Sequence, residues 1–513
     1  MKVVRASLVL VFAISACRTA PITAPVPQLG SNFSVIPLPA SIQLDTSRTF
    51  RVDTSTTIYV AEAADSSTLA VAQYLRSMLT PIVGHEVRRG VATGPMGAKR
   101  IELSIDPAIP NVEGYKLDIT PGSISIVAKT AAGLFYGVQT MRQLMPVSVE
   151  YQAGVARRLT VPAGHINDSP RYEWRGMQLD VARHFLPPRD VKKFIDVLSL
   201  YKINRLHLHL ADDQGWRIDI LSRPNLAKIG GLTQVGGGVG GYYTQDEYKD
   251  IVAYAASRFM TVIPEIDMPA HLNAAMVSYP ELTCDGVAPP VYTFIGAPRT
   301  VVLCVDSARV YPVIEDIVRE ISAITPGAYY HIGGDEVPRL TRTQYLTFIE
   351  RMQSIVNANG KTMVGWADIA PANLATSTIV QHWSTDSVQI HASRGGKVIM
   401  SPGPKAYLDM KYDSTTILGL KWAGFITPQI AYDWDPATYR AGVPESAILG
   451  VEAPLWSETV VRPEDFEFMA FPRVIVFAEV GWTSQAQRSW SDFSNRLQIG
   501  RTRLTALGVN AGY

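Results

Sequence analysis

Two neighbouring acids, Asp335 and Glu336, end the segment Tyr330-His331-Ile332-Gly333-Gly334-Asp335-Glu336. Two carboxyls delivered to one spot, one protonated and one ionised, are what acid-catalysed cleavage of a glycosidic bond requires. Adjacent side chains on a regular strand point to opposite faces, so both acids reach one ligand only where the strand gives way to irregular backbone. Gly333 and Gly334 permit that departure and a close approach by a ligand. An exposed acidic loop after a buried strand is the plainer reading of the same residues.

Such a pair needs a scaffold, and after Pro170 the chain has a repeating rhythm of strand, loop and helix. The expected strands are Gly176–Val181, Arg205–Leu210, Thr261–Asp267, Tyr329–Gly333, Thr362–Trp366, Thr378–Trp383, Lys397–Ser401 and Ile448–Leu455. Amphipathic helices lie between them: Val191, Phe194, Ile195, Leu198 and Tyr201 share one face, as do Tyr345, Phe348, Ile349, Met352 and Val356. Thr244 with Glu247 makes a capping box, and Asn359-Gly360 ends another helix. Eight strands separated by helices predict an α/β fold, a C-terminal (β/α)8 TIM barrel, whose sites lie at the carboxyl ends of the strands.

Charged and aromatic residues gather at those ends. Asp180 and Arg183 follow the first strand, Asp212-Asp213 the second, Asp267 and His271 the third, and Asp335-Glu336 the fourth. Trp366 and Asp368 end the fifth, Trp383 the sixth, Tyr407 and Asp409 follow the seventh, and Trp456 and Glu458 the eighth. Any one Trp fits a packed core equally well; three at one barrel end read better as an aromatic pocket for a sugar. Arg183 suits vicinal hydroxyls as well as a structural acid. His271 is either a satisfied core histidine or a group that orients Glu336.

Before the barrel, residues 32–168 read as a small α+β domain. Its expected strands are Thr57–Glu62, Arg100–Ile105, Tyr115–Ile119 and Ser123–Ala128, in an antiparallel sheet covered on one face by helices Ser66–Leu79 and Ala131–Leu144. The barrel domain takes residues 169–513. The first 17 residues combine a charged start, a short apolar stretch and a small-residue end, as in a secretory signal. Ile14-Ser15-Ala16-Cys17 resembles a bacterial lipoprotein box, with Cys17 lipidated and residues 18–31 as a Pro/Thr-rich tether. The expected location is therefore the cell envelope, with a membrane contact only through that anchor. Cys284 and Cys304 can pair across a loop or stand as two small hydrophobes. Forty-seven basic against 46 acidic residues, with no basic run, point away from nucleic acid.

The segments Asp180–Pro187, Arg205–Arg217, Val262–His271, Gly333–Val337 and Ala453–Glu458 resemble glycoside hydrolase family 20, the β-N-acetylhexosaminidases. Ala270, where the family often has Gly, and Glu452, where Gln is frequent, depart from the pattern at positions that are not expected catalysts. The resemblance implies an exo-acting, retaining hydrolase of terminal N-acetyl-β-hexosamine that needs no cofactor. Glu336 would be the general acid, and Asp335 would orient the substrate's acetamido group, whose carbonyl oxygen is the nucleophile. Tyr407 would bond that oxygen while Trp366, Trp383 and Trp456 enclose its methyl. Arg183 and Glu458 would hold the 3- and 4-hydroxyls, Asp409 those near carbon six, and Asp212 and His271 would tune Glu336 from behind. Chitin oligosaccharides, peptidoglycan fragments and host glycans are all compatible sources of the sugar. Two rival readings are a sugar-binding lipoprotein without catalysis and a metal-dependent barrel hydrolase built on His207-Leu208-His209.

Overall fold

The computed structural model describes residues 34–92, 99–151, 159–298, 301–337 and 339–512. Cys17, the leader and the tether lie outside the described residues. No helix among the described residues is long and apolar enough to cross a membrane.

The first sheet has seven strands: β1 (Ser41–Val52), β2 (Thr57–Val60), β3 (Arg88–Val91), β4 (Arg100–Ile105), β5 (Tyr115–Ile119), β6 (Ser123–Ala128) and β7 (Leu159–Asp168). Their order is β1-β7-β5-β6-β4-β2-β3. In β5 and β6 buried and more exposed residues alternate along the strand, so one face is free to pack on helices α1 (Ser66–Val83) and α2 (Ala131–Leu144). Asp65 caps α1 by accepting from the Thr68 N–H, and Gly84 ends it with φ 80°. The half from β1 to β6 is antiparallel, as expected. The half from β6 to β3 is parallel, because β2 reaches β3 through the crossover helix α1.

The barrel closes in the order β12-β13-β14-β15-β16-β17-β8-β9. These strands are β8 (Trp174–Asp180), β9 (Arg205–His209), β12 (Thr261–Glu265), β13 (Tyr329–His331), β14 (Thr362–Trp366), β15 (Ile379–His382), β16 (Lys397–Met400) and β17 (Ile448–Leu455). A small hairpin of β10 (Ala211–Asp212) and β11 (Gly215–Trp216) follows β9. All eight expected strands are present. Several stop a residue or two early, which leaves Asp267 and the Gly333–Glu336 run beyond the ladder. Helix α3 (Pro188–Leu200) buries Val191, Phe194, Ile195 and Leu198 against the barrel wall.

Inward side chains stack in layers. Trp174, Ile263, Val364, Ile379 and Ile399 form an apolar layer. One pleat further along β12 comes Glu265, which lies 3.0 Å from His207, 2.5 Å from His209 and 3.0 Å from His331. Glu452 accepts from Trp174 Nε1, His207 Nδ1 and Gln381 Nε2 at 2.8–2.9 Å. Burial disfavours a charged His207, but Glu265 and Glu452 outweigh it and lift the imidazole to about 9. Carboxylates thus engage both nitrogens of His207, and His209 is held by Glu265 and by Asp212 at 2.9 Å. The alternating histidines behind the metal-hydrolase reading are buried in the barrel interior, paired with these carboxylates.

Candidate active site

The acid pair stands where β13 breaks. Gly333 and Gly334 take φ 65° and 96°. A Cβ on Gly333 would lie 1.8 Å from Asp267 Oδ1, and the Gly334 N–H donates to that same oxygen at 3.0 Å. Glycine is required here both for the left-handed turn and for the carboxylate packed beneath it. Glu336 follows with φ 50°, and His271, after β12, has φ 56°. A non-glycine residue held in that region costs on the order of 1 kcal/mol or more and is concentrated at functional sites. The departure turns Asp335 and Glu336 onto one cleft of about 450 Å³.

Behind Glu336 runs a chain of charged groups. His271 Nε2 is 3.6 Å from Glu336 Oε2, and its Nδ1 is 3.3 Å from Asp212 Oδ1. Asp212 also meets Arg183 Nη2 at 2.6 Å. Burial disfavours charge on His271, yet Asp212, Asp267 and Glu336 prevail and hold the imidazole well above its ordinary value. Despite its burial, Asp212 is kept far below the usual carboxylate range by Arg183, His271 and His209. An imidazolium between Glu336 and a fixed anion can therefore orient the Glu336 carboxyl. Burial pushes Asp335 up to about 7, with His271 pulling it down and Asp368 and Glu336 adding to the rise. Asp335 Oδ1 is buried without a hydrogen-bond partner among the described residues.

Arg183, Trp383, Tyr407, Asp409, Trp456 and Glu458 line the same cleft, as does His271. The Arg183 guanidinium lies 5.0 Å over the Trp456 ring and pairs with Asp180 as well as Asp212; its structural and ligand-facing roles coexist. Asp212, expected behind Glu336, is beneath the lining, and Trp366, expected in the wall, is only 1% exposed, packed 5.8 Å from Trp456 with its N–H bonded to Glu265 at 2.9 Å. Trp366 supports the floor because the pleat of β14 points it into the barrel. Sequence reasoning gave no role to Asp267 and did not find Trp422, Leu420 or Ser384. Trp422 is 53% exposed and meets Tyr407 edge-on at 5.3 Å. It belongs to a long loop without periodicity, so only its residue type was a clue.

Both carboxylate oxygens of Asp409 and Oε2 of Glu458 are buried without partners among the described residues. Burial and the neighbouring Glu458 hold Asp409 well above the ordinary range. Such groups are costly until a ligand donates to them. Asp409→Ala is expected to lower kcat/KM for a hydroxylated sugar substrate by about ten- to a hundredfold. Its melting midpoint should be unchanged or higher, measured by calorimetry beside the kinetics.

Comparisons with known proteins agree with this geometry. Residues 32–169 match the model of glycosyl hydrolase family 20, domain 2, and residues 172–485 that of the family 20 catalytic domain. A β-N-acetylhexosaminidase of Cellulomonas fimi is 41% identical over 472 residues, 90% of this chain and 92% of that protein. The solved family 20 β-N-acetylhexosaminidase of Streptomyces coelicolor superposes with a TM-score of 0.89 at 43% identity, over 93% of this chain and 97% of the other. A mutant β-hexosaminidase of Streptomyces plicatus, solved with its product GlcNAc, has a TM-score of 0.88 at 45% identity, over 93% and 96% of the two chains. An acid pair at the fourth strand end, an acid–imidazole chain behind it and a match to both family domains lead to one assignment: the chain belongs to glycosyl hydrolase family 20.

Proposed function

We propose that the chain is a retaining, exo-acting β-N-acetylhexosaminidase in which the substrate supplies its own nucleophile. The observation that carries this reading is the adjacency of Asp335 and Glu336 in one cleft walled by Tyr407, Trp383 and Trp456. A terminal N-acetylhexosamine lies with its acetamido group among those aromatics. Glu336 gives its proton to the departing glycosidic oxygen. The acetamido carbonyl oxygen attacks carbon one, and the C–O bond to the leaving group breaks. Asp335 accepts from the acetamido N–H and steadies the positive charge that spreads over the new ring. Water then opens the oxazolinium ion, losing its proton to Glu336, and the product keeps the β configuration. The nucleophile is already beside its target, which removes much of the entropic barrier.

Arg183 and Glu458 bind hydroxyls at carbons three and four, and Asp409 those near carbon six. The reading of a sugar-binding lipoprotein without catalysis is set aside, because the relatives named above are enzymes. Chitin fragments carry the required terminal sugar, so N,N′-diacetylchitobiose is the first substrate to test. Release of monosaccharide, undiminished by a chelator, is the expected result, and from 4-nitrophenyl N-acetyl-β-glucosaminide the sugar should appear by NMR first as the β-anomer. An unchanged disaccharide, or an α-anomer first, refutes the proposal.

We also propose that Cys17 is lipidated after export and that residues 18–31 tether the enzyme to the cell envelope, on the strength of the Ile14-Ser15-Ala16-Cys17 segment. Cells fed labelled palmitate should label the wild-type chain and leave Cys17→Ser unlabelled. Equal labelling of the two overturns the anchor.

A further inference from the structure

Glu336 borders two hollows. The first holds the sugar in the reading above, with Asp335, Tyr407 and Trp456 in its wall. The second, of about 320 Å³, shares His271 and Glu336 with the first but none of those three residues. Apart from Asp213, His271 and Glu336, its wall is apolar: Ala270, Ala297, Pro298, Val301, Val302 and Val337. Four of those six side chains come from the loop closed by the Cys284–Cys304 disulfide.

That loop has little secondary structure of its own, but it is held at several points. The Leu303 N–H donates to Pro269 O at 2.9 Å, beside the loop that carries His271. Gly236 N–H donates to Thr293 O at 2.8 Å. Gln214 Nε2 donates to the carbonyls of Phe294 and Gly296 at 2.9 and 2.8 Å, and Gln214 Oε1 accepts from Arg183 Nε at 3.3 Å. The loop is therefore tied to a side chain of the sugar site itself. It also carries a cluster of large apolar side chains turned to solvent: Val287, Val291, Phe294 and Ile295 are each at least 55% exposed. Single exposed hydrophobes are ordinary, but several on one loop that also walls a hollow point to a binding surface.

Resting on the proposed reaction, we infer that this second hollow is the leaving-group site. It takes an aglycone that presents an apolar face, such as an aryl ring, an alkyl chain or the C–H face of a sugar. The acid must touch the glycosidic oxygen, so the group attached to that oxygen lies against Glu336 on the side away from Asp335. The second hollow touches Glu336 and has no Asp335 in its wall, which fits that side. Val301 and Val302 are then specificity determinants: they do no chemistry, and they favour leaving groups that cover them.

The test uses the full chain and three β-linked N-acetylglucosaminyl substrates: the fluoride, which has no bulk beyond one atom, the 4-nitrophenyl glycoside and N,N′-diacetylchitobiose. A near-isosteric double variant, Val301→Thr with Val302→Thr, keeps the shape and removes the apolar wall. Its kcat/KM should fall by about tenfold for the nitrophenyl and chitobiose substrates, mostly through KM, and stay unchanged for the fluoride. Equal loss on all three substrates, or loss on none, overturns the inference. A wild-type protein that cleaves none of them refutes the proposed function instead, so the two failures are distinct.

A second measurement needs no variant. An alcohol bound in the hollow can replace water: its oxygen bonds to carbon one as the oxazolinium ring opens, and its proton passes to Glu336. Pentan-1-ol should therefore divert wild-type product to its glycoside several-fold more efficiently than methanol at equal concentration. Equal capture of the two alcohols overturns the apolar site.

Discussion

Glu336→Gln is expected to reduce kcat on N,N′-diacetylchitobiose by about a thousandfold or more, within or beyond the range of general acid catalysis. The sugar leaving group needs a proton as its bond breaks, and an amide has none to give. A 4-nitrophenolate leaves without that help, so formation of the intermediate from the aryl substrate should be slowed much less than from chitobiose. Its breakdown still needs the base, so the variant should accumulate intermediate with the aryl substrate and show a burst. Folding should survive. The Glu336 side chain is 52% exposed, and Gln has the same shape in the same left-handed backbone. Stopped-flow kinetics on both substrates, together with a melting curve, check all three parts. Full activity on chitobiose removes Glu336 from its role.

Asp335→Asn should lower turnover by about a hundred- to a thousandfold, the loss expected for one group aimed at a developing charge. Stability should move the other way, and its pH dependence has a definite sign. Burial raises the Asp335 carboxyl to about 7 in the folded protein, from an ordinary value of 3.8. A raised carboxylate contributes stability that is fully present below the ordinary value and is lost as pH rises through about 7. The anion needed for catalysis is thus destabilising without substrate, and the neutral amide removes that cost. The Asn variant should match the wild type near pH 4 and melt higher above pH 7. Thermal midpoints taken across that range decide it; a variant that is less stable at high pH contradicts the sign.

These two residues show how far a sequence reaches. The eight barrel strands were legible because each is a short apolar run bounded by loops, and charged residues past each run marked the working end. In the first domain β4, β5 and β6 were legible from their alternation. Three strands were not. β1 carries Asp45, Thr46, Ser47 and Arg48 at a register shift, β3 begins with two arginines, and β7 contains Pro162 and Gly164. Their places are fixed by partners across the sheet, which no local pattern reports.

Within the site, strand-end positions gathered Glu336, His271 and Asp212, and the family resemblance implied their order as a chain. Its precise setting was not legible. Glu336 and His271 adopt left-handed backbone without being glycine, and only the carboxylate of Asp267 under Gly333 explains why the turn is held there. The burial of Trp366 was hidden for a related reason: which way it faces depends on the pleat of β14, and Glu265 inside the barrel holds its N–H. The disulfide was an open choice in the sequence; its closure of the Cys284–Cys304 loop gives Glu336 a second neighbouring hollow.

The central claim is that the substrate's acetamido oxygen, and no protein carboxylate, attacks carbon one. Fluorine on the acetyl methyl withdraws electrons from that oxygen and leaves the rest of the sugar nearly unchanged. The most direct measurement is kcat/KM for 4-nitrophenyl β-glycosides bearing N-acetyl, N-fluoroacetyl, N-difluoroacetyl and N-trifluoroacetyl groups. The account predicts a steep fall at every step, with the trifluoroacetyl substrate slower by about a hundredfold or more. A flat series, with all four cleaved at similar rates, would contradict it.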